Sequence, residues 1–120
     1  MLSQFKRKEV RNTVWLTADV HYCAAHHYDP SRAAFTDFDP FWELVAGPIN
    51  AGTFGPNTLD PTFGPKVEFA KAADFPNQPP SGGNQFFGHV AIDPRTGVLT
   101  ASLRNLFGKV LWTKDIDPVR

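Results

Sequence analysis

The chain has 120 residues, balanced at 12 basic and 12 acidic side chains, with 42% hydrophobic and 13% aromatic residues, the profile of one small folded domain. Zero net charge gives no general attraction to nucleic acid, and no stretch approaches the roughly 20 apolar residues of a membrane-spanning helix. The N-terminus shows no apolar signal core, and the single cysteine, Cys23, excludes an internal disulfide.

Residues 1 to 11 read as the end of a helix, with Leu2, Phe5 and Val10 as sparse apolar positions. Lys6, Arg7, Lys8 and Arg11, offset by Glu9, form a solvated face. Asn12 then turns the chain into "TVWLTADVHY". The run Val14, Trp15, Leu16 suits a strand buried on both faces, as in the interior of a parallel sheet. If the extended geometry persists past Thr17, Asp19 and His21 point to one side and Ala18 and Val20 to the other. Two metal ligands would then converge beyond the carboxyl end of a strand, where ligands gather in open α/β sheets. The same spacing also fits an Asp19 that caps a turn beside an ordinary histidine. Two ligands do not close a site, since zinc-like centres take about four and calcium roughly six to eight oxygens. Cys23 reads as a small buried side chain, or as support for His21.

The stretch "AAHHYDPSRAAFTDF" is mixed, with Asp29 and Pro30 marking a turn, and the adjacent His26 and His27 cannot both face one metal in extended chain. "DPFWELVAG" predicts a short helix: Asp39 as cap, Pro40 at the first position, Gly47 past the end. From Gly47 to Asn84 Gly, Pro, Asn and Ser dominate, and only "KVEFA" (66 to 70) reads as a strand. Loops beyond about 12 to 15 residues are functional or disordered. Phe54, Leu59, Phe63, Val67 and Phe69 need burial, so an ordered loop draped over a surface is expected, most of that surface lying outside this chain. "QFFGHVAI" (85 to 92), "VLTASL" (98 to 103) and "KVLWT" (109 to 113), joined by "DPRTG" and "NLFG", predict an antiparallel meander with His89 on a sheet face.

Three segments, "VWLTADVHYCAAHHYDPSRAAF", "FDPFWELVAGPINAGTFGPNTLDPTFGP" and "QFFGHVAIDPRTGVLTASLRN", together resemble the C-terminal portion of PhoD-like alkaline phosphatases of the calcineurin-like metallophosphoesterase superfamily. The resemblance runs from the first helix to about Trp112. Asp19 and His21 match the two ligand positions of the superfamily's last metal motif, GHxH or GDxH, with Ala18 in place of its glycine. What the resemblance implies is an α/β (α+β) fold, the C-terminal part of a four-layer αββα sandwich ending in an antiparallel β-meander. It further implies a multinuclear iron and calcium centre that hydrolyses phosphate monoesters and diesters through a metal-activated water or hydroxide. One partial metallophosphatase domain is then expected: residues 1 to 46 with the ligand strand between two short helices, 47 to 84 as a long ordered loop, and 85 to 113 as the meander.

Family members supply further ligands from upstream motifs of the D-x-x, GDxx and GNHD/E kind, which do not occur before residue 13. The chain is therefore expected to be the C-terminal part of such an enzyme, needing the other half of the domain or associating with itself. The family is typically exported; no catalytic residue is assigned beyond the metal ligands Asp19 and His21. The alternatives are an inactive remnant and a small β-rich binding module with no metal.

Overall fold

The N-terminal helix is real but shorter than expected. In a computed structural model, which describes residues 1 to 119, α1 spans Leu2–Arg7 and Val10 lies beyond it. The basic residues are solvated: Lys6 sits 3.6 Å from Asp37 and Arg11 3.7 Å from Glu9, all exposed. β1 (Val14–Thr17) follows as expected. β2 then covers Cys23–Tyr28, where no element was expected.

The helix expected over "DPFWELVAG" is a strand, β3 (Phe41–Ala46). Asp39, Pro40 and Gly47 do resemble helix caps, but the residues between them are aromatic and branched, and tertiary pairing overrides local signals. β3 pairs parallel with β1 and antiparallel with β2, so its backbone groups are used on both edges. Its side chains alternate between two apolar environments. Trp42, Leu44 and Ala46 belong to one core cluster, whereas Val45 joins Tyr22 and Ala24 in another. β4 (Pro65–Lys71) contains the expected "KVEFA" strand and completes a mixed four-stranded sheet in the order β1-β3-β2-β4. β1 is therefore an edge strand, not the interior strand buried on both faces that its apolar run suggested: it pairs only with β3, and Leu16 is 67% exposed.

The meander is found as expected. β5 (Phe86–Ile92), β6 (Leu99–Asn105) and β7 (Val110–Ile116) form a three-stranded antiparallel sheet in chain order. Its turns use Gly97 and Gly108 at positive φ of 76° and 79°, a region that glycine enters without steric cost. The two sheets pack face to face through Cys23, Ala25 and Leu44 on one side and Phe86, Ala101 and Leu103 on the other, with Trp42 and Trp112 5.7 Å apart between ring centres. Gly88 lets them approach: a Cβ there would lie 3.1 Å from that of Ala46. The result is mostly β, a mixed sheet on an antiparallel sheet with one short helix.

The long loop packs in part on this chain, while three of the apolar residues expected to need burial, Phe54, Phe63 and Val67, remain 39%, 38% and 50% exposed. Two single 3-10 turns, Pro61–Phe63 and Pro80–Gly82, interrupt it. Thr53 bridges to Gln78, and Phe63 packs edge-on against Phe35 and Phe38.

Candidate functional site

β1 does not continue through Asp19 and His21. Its ladder with β3 ends at Thr17, and the chain turns so that His21 N–H donates to the Ala18 carbonyl at 3.0 Å. Asp19 and His21 thus share one tight turn, and strand alternation does not set their directions. The His21 N–H is bonded to backbone, so the Asp19 carboxylate does not take up that donor as an Asx cap would. Asp19 is exposed and His21 half-buried.

His21 holds a left-handed backbone, φ 59°, a conformation that costs a non-glycine residue on the order of 1–3 kcal/mol and persists where the surroundings over-determine it. Three contacts with the 47–57 loop do so. The His21 carbonyl accepts from Phe54 N–H at 2.9 Å, the imidazole lies 5.8 Å from the Phe54 ring, and Nδ1 lies 2.8 Å from the Gly52 carbonyl oxygen. A carbonyl only accepts, so Nδ1 carries a proton, and in the neutral imidazole Nε2 is then the nitrogen with the lone pair. Backbone carbonyls orient metal-binding histidines in this way, fixing the tautomer while the other nitrogen faces the ion. Small residues let the loop come this close. A Cβ on Gly47 would sit 2.8 Å from the Ala18 carbonyl oxygen, and one on Gly55 2.5 Å from the Tyr22 ring.

The other histidines have different surroundings. His26 and His27 lie on opposite faces of β2: His26 is buried with Nδ1 3.0 Å from Glu43 Oε2, and the His27 ring lies tilted against Trp42, 4.7 Å between ring centres. Desolvation, followed by the nearby Arg32 charge, lowers the His27 pKa. His89 is exposed on β5. Cys23 is fully buried in the apolar core, which pushes its thiol up to about 12 and leaves it unreactive at neutral pH.

Glu43 is a group that sequence reasoning did not single out. Its carboxylate accepts from Thr17 Oγ1 at 3.0 Å, from Tyr28 Oη at 2.7 Å and from His26 Nδ1. The His26 bond is the main reason its pKa is lowered, against the opposing effect of burial. It lines a cleft of about 520 Å³ with Trp15, Tyr28, Phe41 and Phe63, but neither Asp19 nor His21 does. Gly52 was also missed, because its part is played by a backbone carbonyl 31 residues from His21. The signal that could have pointed to it is the length of the Gly- and Pro-rich loop itself.

Among the described residues no group of three or more His, Cys, Asp or Glu side chains is disposed to hold a metal ion. A protein-family model described as "PhoD-like phosphatase" matches residues 1–103. The chain belongs to the PhoD-like phosphatase family. No curated protein and no solved structure matches it. The PhoD-like match covers the four-stranded sheet, β5 and β6 as far as Leu103, including the Ala18–His21 turn and the loop that holds it, and leaves out β7. PhoD-like phosphatases are metal-dependent, and within the matched residues Asp19 is exposed and His21 half-buried on one turn, with Nδ1 of His21 against the Gly52 carbonyl.

Proposed function

We propose that this chain supplies Asp19 and His21 to a metal centre that hydrolyses phosphate monoesters and diesters, the remaining ligands coming from outside the described residues. The observation that carries the reading is the bond between His21 Nδ1 and Gly52 O, which leaves Nε2 as a free donor on a strained, loop-clamped turn at the carboxyl end of a strand. The donor types fit iron and calcium, since imidazole suits iron and carboxylate oxygen suits calcium. When bound, such ions polarise the phosphoryl group and lower the pKa of a water. This chain's part is to hold the two side chains in place. The two packed sheets are, in this reading, the inner ββ layers of a four-layer αββα sandwich, with α1 belonging to an outer layer.

The test is a fusion of the chain to the N-terminal half of a PhoD-like phosphatase that carries the upstream ligand motifs, assayed on a chromogenic phosphomonoester and a diester with iron and calcium. The isolated chain should show no turnover and the fusion should. Asp19→Ala and His21→Ala should each lower metal content and activity together, by at least tenfold for activity, since even a group supporting a ligand is worth about 10- to 100-fold. His89→Ala should leave both unchanged. Full metal occupancy and activity in both ligand variants would defeat the assignment.

A further inference from the structure

The loop segment that presents Gly52 to His21 is itself held by a buried side chain to which no role has yet been given. Gln85, the residue before β5, is 5% exposed. Its Oε1 accepts from Ala51 N–H at 3.1 Å and its Nε2 donates back to the Ala51 carbonyl at 3.0 Å, so one amide side chain pairs with both polar groups of Ala51. The same Nε2 lies 3.2 Å from Thr53 Oγ1 and 3.1 Å from the Asn84 carbonyl. Thr53, fully buried, donates its hydroxyl to the Asn84 carbonyl at 2.7 Å and pairs its backbone with Gln78 in both directions. Gln85 therefore grips the residues on either side of Gly52.

Buried amides are costly unless every donor and acceptor is used, and among the described residues no buried side-chain nitrogen or oxygen lacks a partner. Gly52 has no side chain of its own to fix the direction of its carbonyl. That direction follows the peptide it shares with the Thr53 N–H, which donates to the Gln78 carbonyl at 2.9 Å, and the residues on either side of it are gripped by Gln85. We propose that Gln85 is a positioning residue for His21. By clamping Ala51 and Thr53 it aims the Gly52 carbonyl at Nδ1, which keeps the proton there and Nε2 free for a metal. The inference rests on the reading of His21 as a ligand, but its own claim concerns the tautomer and needs no metal to test.

The two nitrogens of a neutral imidazole are separated by nitrogen NMR of the full chain labelled at histidine. In the wild type His21 should be the Nδ1-protonated tautomer. In Gln85→Leu, which keeps similar bulk without the hydrogen bonds, that form should lose its dominance, while His26, tied separately to Glu43, keeps its pattern as the indicator of an intact fold. Thr53→Val, close to isosteric, removes one of the links and should move His21 the same way by less. An unchanged His21 tautomer in Gln85→Leu with the His26 pattern intact overturns the proposal, as does an unchanged tautomer in Thr53→Val should Gln85→Leu fail to fold. A tautomer that follows Gln85 in a wild type whose His21 ignores added metal ions would instead sink the ligand reading and leave the clamp standing.

Discussion

Glu43 shows how much one half-buried carboxylate can organise. It joins Thr17 at the end of β1 to His26 and Tyr28 on β2, with β3 between them. Its pKa is lowered chiefly by the His26 hydrogen bond, then by those from Tyr28 and Thr17. A carboxyl whose folded pKa is depressed contributes stability above its unfolded value, about 4.3, and that stability is lost as pH falls through the folded pKa. Glu43→Gln should therefore cost about 1.5–3 kcal/mol at pH 7, the usual range for hydrogen bonds to a charged group. Urea unfolding of both proteins should show the gap closing as pH drops below the ordinary Glu range. A gap independent of pH would mean that packing, not the charge, accounts for the loss. Glu43 and Gly52 were not legible in the sequence for the same reason: each acts through partners on other elements, whereas Asp19 and His21 form a local pattern.

Strands were legible where the pattern was local and two-sided. The meander's three strands and turns were read in place because Gly97 and Gly108 mark the turns between apolar runs, although β6 and β7 run two and three residues further than expected. β3 was misread because Asp39-Pro40 and Gly47 imitate helix caps, and β2 because Ala and His carry little strand preference; both exist through pairing with each other. β1 was correctly read as a strand but not as an interior one buried on both faces. It pairs with a neighbour on one edge only, and Leu16 stands exposed on it. An open, apolar edge is a template for pairing with another chain, and a lysine on such an edge blocks it. The chain should thus associate as its concentration rises in sedimentation velocity, and Leu16→Lys should reduce that association. A clean monomer with a sharp cooperative unfolding transition in the wild type would show that the β1 edge needs no partner.

At the scale of the molecule, two sheets share a core made from their inner faces while the Ala18–His21 turn and the 47–57 loop meet at the end of β1. That the loop folds back on His21 and Tyr22 of the same chain was not legible, because the contacts are backbone hydrogen bonds and close approaches at Gly47 and Gly55. The four histidines differ by surroundings: His26 is committed to Glu43, His27 lies against Trp42, His89 is exposed on a sheet, and half-buried His21 is held through Nδ1 by the Gly52 carbonyl. Titrating the histidine-labelled chain with cobalt(II), a paramagnetic stand-in for iron(II), tests this directly. His21 Nε2 should broaden at lower metal concentration than any nitrogen of His26, His27 or His89, and Asp19→Ala should raise the concentration required. Broadening of His27 or His89 as early as His21, or a His21 response unchanged by Asp19→Ala, would contradict the account.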